Sequence, residues 1–415
     1  MKNNISRQIP SYVQAVLDRF AAAGRSAYPV GGSLRDLLLG RVPQDFDLTT
    51  DATPDETIEI FSDLRVIPTG LVHGTVTVLS DGNPIEITTH RTDGAYTDKR
   101  HPTSVSFTAS LTEDLARRDF TVNAMAWSKE QDVIDPFGGK ADLAARMIRA
   151  VGDPVCRFSE DALRILRAFR FAAQLDFDIE EGTAAAAKAL REGLAAVSVE
   201  RIFVELTKLL LGKAAAKGLS EMDKADCLPF VFFDTVPDLS VANRLDKLPE
   251  NAPLRLAALL HKESEDKLAA LCRRLHTSNA FLRALVSTVA AYREAPPTTP
   301  YEARRFVCTH HPHFDDGLLL REVLLGEDTA PARTLCAAVL RDRTAVEVRR
   351  LAVNGRELQD TLGIMPAATG KLLLLLQDSV WQEPARNKKQ TLLALATKIC
   401  KENTSFLTQS KGENK

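Results

Sequence analysis

Two aspartates separated by one residue, Asp45 and Asp47, follow the run Gly31-Gly32-Ser33-Leu34-Arg35-Asp36. On a strand, residues i and i+2 point to one face, so the two carboxylates emerge together. Two carboxylates on one face suit Mg²⁺, which takes a few carboxylates and completes its shell with water and substrate phosphate oxygens. Such a site can activate a ribose 3′-hydroxyl and steady a leaving pyrophosphate in an in-line displacement. Gly31 and Gly32 let backbone N–H groups approach a phosphate closely, and the start of the following helix favours an anion there. Arg35 falls in the first helical turn, within reach of a triphosphate. A lone glycine pair is usually a turn, and a lone Asp-x-Asp is usually solvated. Strand, glycines, helix and Asp-x-Asp in that order point to nucleotide chemistry.

A second constellation is Glu160-Asp161-Ala162-Leu163-Arg164. On a helix, Asp161 and Arg164 lie at i and i+3 and are neighbours on one face. A carboxylate acceptor beside a guanidinium fork can address the Watson–Crick edge of a base. Arg167 and Arg170 continue the face. An isolated Asp–Arg pair would be an ordinary surface ion pair; three arginines stepping by three beside it make a binding surface.

These residues need elements to hold them. Ala27 to Val30 reads as a strand running into the glycines, and Ser33 to Leu39 carries apolar residues at helical spacing with Ser33 placed as an N-cap. Gly74 to Leu79 and Pro84 to Thr89 alternate in strand fashion, and Asp51 to Phe61 opens on Thr-Pro-Asp-Glu as a helix. After Asp153-Pro154 the chain turns rich in Ala, Leu, Arg and Glu with helical periodicity. Ser159-Glu160-Asp161 is read as opening a helix through Phe171, and Val199 to Leu211 as another. Prolines 229, 237, 249, 253, 296, 297 and 300 punctuate the remainder, and the final residues from Arg386 are Lys-rich and end in a polar segment expected to fray. The fold class is α+β: a head with a small β-sheet at 1–150, followed by helices.

Composition bounds the function classes. The chain has 415 residues, 45% hydrophobic and 26% charged, with a net charge of −2. Nucleic-acid binding must therefore come from local basic surfaces. Six scattered cysteines without a CxxC pair speak against a zinc site and a disulfide framework. The polar start MKNNISRQIP lacks a signal-peptide core, and the run Leu372 to Leu376 is too short to span a membrane. A cytoplasmic enzyme with no membrane partner is expected. His310, His311 and His313 lack a second ligand cluster and read as polar loop residues, and His261 lacks the adjacent Asp of a His-Asp phosphohydrolase. No Gly-Lys-Ser/Thr signature supports a P-loop NTPase.

At this point the chain resembles the class II CCA-adding enzymes and bacterial poly(A) polymerases, within the polymerase β-like nucleotidyltransferase superfamily. The resemblance runs from the glycine and Asp-x-Asp blocks through Arg117-Arg118-Asp119-Phe120-Thr121-Val122-Asn123-Ala124, Asp135-Pro136-Phe137-Gly138-Gly139, Glu160-Asp161-x-x-Arg164 and Glu200-Arg201-Ile202-Phe203-Val204-Glu205-Leu206. It implies a CTP- and ATP-dependent tRNA nucleotidyltransferase that builds or repairs the 3′-terminal CCA, with Asp161 and Arg164 reading CTP and ATP as a protein template. It assigns Mg²⁺ to Asp45 and Asp47, the triphosphate to Gly32, Arg35 and Arg118, and the base and its surroundings to Asp161, Arg164, Arg167 and Arg170. Asp119 is a candidate third carboxylate with Glu86 as its competitor; either acid could instead partner a nearby arginine. Asn123 orders the same loop or caps a helix.

The resemblance further implies four parts: head 1–150, neck 151–215, body 216–325 and tail 326–415. The segment Thr88 to Ser106, with Arg91, Asp98, Arg100 and Pro102, matches a loop that helps such enzymes switch from C to A addition, and its retention favours complete CCA addition, or A addition alone. Asn354-Gly355-Arg356-Glu357-Leu358, with Gly363, Gly370 and Asn387, is similar to a tRNA-holding tail. Lys388 and Lys389 suit phosphate contacts there, or simply a solvated helix face. A homodimer is a further expected partner. The alternatives are an A-adding enzyme, a poly(A) polymerase and an inactive RNA-binding scaffold.

Overall fold

The computed structural model describes residues 5–93 and 105–402. Its strands are β1 (Ala27–Val30), β2 (Asp47–Thr50), β3 (Arg65–Gly70), β4 (Thr75–Ser80), β5 (Asn83–Thr89), β6 (Arg91–Asp93), β7 (Val105–Phe107), β8 (Ala126–Ser128) and β9 (Asp132–Ile134). Seven of them form one sheet in the order β3-β4-β5-β2-β1-β8-β9, and β6 pairs with β7 separately. Within the sheet, β2 and β5 run parallel, which sets Asp47 opposite Glu86. The side-chain period of two does the sorting. Leu48, Ile85 and Ile87 point into the core and are almost fully buried, so Asp47 and Glu86 lie on the opposite, accessible face.

The helices of this region are α1 (Ser11–Ala22), α2 (Gly31–Leu38), α3 (Pro54–Ile60), α4 (Leu111–Ala116) and α5 (Gly139–Ala145). Val13, Val16 and Phe20 are the buried stripe of α1, and Phe20 meets Phe61 edge-on at 5.1 Å. The Thr53-Pro54-Asp55-Glu56 start of α3 forms a capping box between Thr53 and Glu56. Ser33 corrects its expected role: α2 begins at Gly31, directly after β1, and Ser33 sits inside the first turn, donating its hydroxyl to the Val30 carbonyl at 3.0 Å. Gly31 makes the abrupt start by adopting φ +72°, a left-handed conformation open to glycine at little cost.

Beyond the head come α6 (Pro154–Glu160), α7 (Leu163–Leu175), α8 (Glu181–Ala189), α9 (Val199–Leu210) and α10 (Ala215–Lys224). The helix expected to open at Ser159-Glu160-Asp161 is two helices. Ser159 and Glu160 end α6, Asp161 is extended at φ −141° and ψ 104°, and α7 starts at Leu163. The helical part also contains a strand: β11 (Asp178–Ile179) pairs in parallel with β10 (Met147–Ile148).

By its contacts the chain divides into two units, Met1–Asp246 with Arg273–His276, and Lys247–Cys272 with Thr277–Lys415. The described part of the second unit is built from helices. One of its cores gathers Phe306, Val307, Leu318 and Cys336; another gathers Leu358, Leu372, Leu376, Val380 and Leu392. Leu372 and Leu376 are buried while Leu374 and Leu375 face outward, as an amphipathic helix requires. Among the described residues no helix is long and apolar enough to cross a membrane. The Lys-rich stretch forms the helix Lys389–Glu402, anchored by buried Leu392, Ala396 and Cys400, and the polar segment expected to fray lies outside the described residues. His310 also departs from its loop reading: it ends the helix Pro300–His310, is buried, and bonds Glu294 at 2.9 Å.

The position of α7 depends on a close crossing. A Cβ on Gly218 of α10 would stand 2.7 Å from the Phe169 carbonyl oxygen and 2.8 Å from the Ala173 Cβ. Gly218→Val therefore pushes α10 off α7. We expect a loss of roughly 1–3 kcal/mol, typical of overpacking, and a urea unfolding midpoint unchanged from the parent would show that the two helices are not so closely packed.

Candidate functional site

Where the end of β1 and the start of β2 meet α7, a cleft of 430 Å³ is lined by Gly31, Gly32, Asp47, Asp119, Asn123, Asp161, Phe171 and Gln174, together with Arg35, Arg117, Arg118, Arg164, Arg167, Arg170 and Arg201. Guanidinium groups so crowded repel one another, and their geometry persists only because anions hold them from behind. Asp114 is the first such anchor. It is completely buried on α4 and pairs with Arg117 at 2.8 Å and Arg118 at 3.2 Å, while the Thr49 hydroxyl donates to it at 3.1 Å. The sequence reading passed over Asp114, although its spacing of three and four residues from the arginines was the signal.

Asp119 lines the same cleft and is engaged by an arginine of α7. Its carboxylate accepts Arg167 at 2.5 and 2.7 Å, the Phe120 N–H at 2.8 Å and the Asn123 side-chain N–H at 3.3 Å. Burial alone would raise its pKa; the Arg167 charge, aided by these donors, holds it down at about 2. Asn123 also accepts from Arg35 at 2.9 Å, and Asp36 fastens the same guanidinium at 3.0 Å. The Asn123 loop is itself braced. Asp135 accepts the Gly139 and Lys140 N–H groups at 2.7 and 2.9 Å, and a Cβ on Gly139 would collide with the Thr121 carbonyl oxygen.

Asp161 and Arg164 both line the cleft, but they are not paired with each other. Asp161 caps α7 through the Leu163 N–H at 3.0 Å and binds Arg201 at 2.6 Å. Arg164 bonds Glu160 at 2.5 Å and donates to the carbonyls of Arg157 and Arg117 at 3.1 and 3.0 Å. The break between α6 and α7 causes this, because an extended residue at 161 removes the helical neighbour relation. Arg170 pairs with buried Glu205 at 2.9 Å, and burial with Arg167 repulsion lowers its pKa to about 10, leaving it charged at neutral pH. Arg201 and Glu205 were missed as site residues. Their spacing of four on α9 is a readable signal only once α9 is known to face α7.

At the other side, Asp47 opens β2 and Asp45 occupies the bend before it. Asp47 is open to water on its cleft side and walled by protein elsewhere. That enclosure first, then the charges of Asp45 and Glu86, raise its pKa to about 6, against the lowering effect of Arg118. Gly31 is what allows this approach: its missing Cβ would lie 3.3 Å from Arg118 Nη1 and 4.0 Å from Asp47 Oδ2. Gly32 stands similarly beside the Arg35 guanidinium. The cleft therefore has a basic wall able to hold a polyanion, an acidic edge with excess negative charge, and a polar Asp161–Arg164 region fit for a base. Of the loop expected to assist it, Asp98, Arg100 and Pro102 lie outside the described residues.

The comparisons with known proteins agree with this geometry. Residues 27–149 match the poly A polymerase head domain, and residues 176–242 match the family described as probable RNA and SrmB- binding site of polymerase A. The chain is 37% identical over 398 residues to a CCA-adding enzyme of Lactococcus lactis subsp. cremoris, spanning 93% of this chain and 96% of that one. It is likewise 37% identical to a CCA-adding enzyme of Leuconostoc citreum, over 93% and 95%. Among solved structures, the Bacillus stearothermophilus CCA-adding enzyme in complex with CTP superposes with a TM-score of 0.79 at 29% identity, covering 95% of this chain and 99% of that one. The Thermotoga maritima CCA-adding enzyme, with a TM-score of 0.63 at 22% identity over 94% and 97%, shares the fold. An acidic edge facing a basic cleft, on a chain so similar to these from end to end, places it in one family: it belongs to the CCA-adding enzymes and is a template-independent nucleotidyltransferase.

Proposed function

We propose that this enzyme takes CTP and ATP in turn into the one arginine-lined cleft and joins each nucleotide to the 3′ end of tRNA until CCA is complete. The observation that carries the reading is the cleft's polarity, with Asp45, Asp47 and Glu86 at one side and Asp161 with Arg164 at the other. A nucleoside triphosphate fits only one way round. Its phosphates lie by Gly32, Arg35 and Arg118, where guanidinium donors meet phosphate oxygens. Its base then reaches Asp161 and Arg164, with Arg167 and Arg170 between. Arg164 is held by the Arg117 carbonyl and Asp161 by Arg201, so the base meets preset donors and acceptors and no template strand is needed. That the similar Bacillus stearothermophilus enzyme is solved in complex with CTP supports CTP as a substrate.

Among the described residues no group of three or more His, Cys, Asp or Glu could hold a metal ion by itself. Mg²⁺ takes a few carboxylates and completes its shell with water and substrate phosphate oxygens. Enclosure first, then the charges of Asp45 and Glu86, raise the pKa of Asp47, and a cation would offset both, so Asp45 and Asp47 are the proposed ligands. Bound there, the ion supplies charge neutralisation at the transferring phosphate and acidifies the attacking hydroxyl. Glu86, in register with Asp47, is the proposed third carboxylate. Asp119 is proposed instead to position Arg167, because its oxygens are already engaged. We retain the division into head 1–150, neck 151–215, body 216–325 and tail 326–415, with the tail holding tRNA and the enzyme cytoplasmic. Within the tail Lys389 pairs with Glu357 at 2.7 Å, which leaves Lys388 as the better phosphate contact.

Purified protein with Mg²⁺ and tRNA transcripts ending before the CCA, after C and after CC tests the function. Growth to CCA and a stop there is expected; a single A added only to the CC-ended transcript would make it an A-adding enzyme, and long A tracts a poly(A) polymerase. Asp45→Ala should lower addition by about a thousandfold, the upper scale for losing one charge-stabilising group, with tRNA binding retained. Retained catalysis would sink the assignment.

Mg²⁺ alone should raise the thermal midpoint of the parent at pH 8 and leave that of Asp47→Asn almost unchanged. Without metal, Asp47→Asn should be the more stable at pH 8. A raised carboxylate pKa means the folded state binds the extra proton between pH 3.8 and about 6, so the penalty is complete only above that window and should be absent near pH 4. Asp119 runs the other way. Its folded pKa of about 2 lies below 3.8, so its stabilisation is present above pH 4 and is lost as the pH falls toward 2. Asp119→Asn should cost roughly 2 kcal/mol at pH 7, with the gap to the parent closing in acid; a pH-independent gap would contradict the pairing with Arg167.

A further inference from the structure

Three of the cleft's cations surround one aromatic ring. The guanidinium carbons of Arg35, Arg167 and Arg170 lie 5.3, 5.5 and 3.9 Å from the centroid of the Phe171 ring. The ring is itself fixed, buried to 5% exposure and meeting Phe120 edge-on at 5.6 Å. The arginines come from different places in the chain: Arg35 from α2, Arg167 and Arg170 from α7. They repel each other, since Arg167 and Arg35 both act to lower the pKa of Arg170.

Each is held by a carboxylate, and Arg35 also by a neutral amide oxygen. Asp36 and Asn123 hold Arg35, Asp119 holds Arg167, and Glu205 holds Arg170. The shared neighbour of all three is the Phe171 ring, whose π face attracts a cation within about 6 Å. An aliphatic side chain of similar volume would fill the same space without that attraction.

We propose that Phe171 is a positioning residue for nucleotide binding: its π face fixes the mutual spacing of Arg35, Arg167 and Arg170, and so sets the charge pattern that receives the nucleotide. Phe171 acts through the arginines and takes no part in the chemistry at the Asp-x-Asp edge. Its loss therefore weakens the capture of CTP and ATP alike, whichever base is presented, and leaves turnover at saturation nearly unaltered.

The inference rests on the reading of this cleft as the nucleotide site, and two sets of variants separate the two. Steady-state addition to CC-ended and C-ended tRNA, with the nucleotide varied, is measured for Phe171→Leu, Phe171→Tyr and Arg167→Ala, with a thermal midpoint for each. Phe171→Leu should raise KM for both nucleotides about tenfold, equivalent to about 1.4 kcal/mol, with kcat within about twofold. Phe171→Tyr, which keeps the π face, should restore KM. A KM for Phe171→Leu within twofold of the parent overturns the proposal, as does a loss of kcat and thermal midpoint together that Tyr fails to rescue. If Arg167→Ala also leaves KM unchanged, the nucleotide site has been placed wrongly. If Arg167→Ala raises KM and Phe171→Leu does not, only the role of the ring fails.

Discussion

Mutual repulsion among guanidinium groups is the constraint that the catalytic unit is built around. Seven arginines line the cleft (Arg35, Arg117, Arg118, Arg164, Arg167, Arg170 and Arg201), and they converge only because buried or half-buried acids stand behind them. Asp114 serves Arg117 and Arg118, Asp119 serves Arg167, Glu205 serves Arg170 and Asp161 serves Arg201. Truncating one partner of a buried pair leaves a charge with neither water nor counter-ion, which costs about 3–5 kcal/mol. The network is thus rigid for an electrostatic reason, and a rigid charge pattern can favour one nucleotide pose.

The acidic edge obeys the opposite logic. Asp45, Asp47 and Glu86 are brought together by a bend, a strand start and a parallel register, and enclosure first, then their repulsion, raises the pKa of Asp47. Stability is given up where function requires like charges side by side. The glycines serve both edges. Gly31 lets Arg118 and Asp47 approach from two sides, and its positive φ starts α2 one residue after β1.

Fold and cleft depend on each other through α7. Its buried side packs against α9 and α10, with Gly218 allowing the close crossing, and its other side presents Arg164, Arg167, Arg170 and Phe171 to the head. Asp119, itself bonded by Asn123, and the Arg117 carbonyl reach across to meet Arg167 and Arg164. A small shift of the helix would therefore move anchors and ligands together. The cleft is preorganised at the junction of sheet and helix rather than on a loop.

Much of this was legible in the amino-acid order. Residue spacing alone pointed to the Asp-x-Asp carboxylates, to the phosphate-facing glycines and to the arginine row on α7, because such signals are local and periodic. The strands at Ala27–Val30 and Asn83–Thr89 and the helix start at Thr53 were readable for the same reason. What only the tertiary structure decided is which acid serves which arginine. Asp119 was the preferred third carboxylate and Glu86 its competitor; register sets Glu86 beside Asp47, while the fold carries Asp119 to Arg167, 48 residues away in the chain. Asp161 and Arg164 looked like helical neighbours, and an extended residue between two helices gave each a different partner. Local sequence specifies the turn, the cap and the face. Pairing across tens of residues is set by packing, because a charge chooses the counter-ion that burial brings within reach.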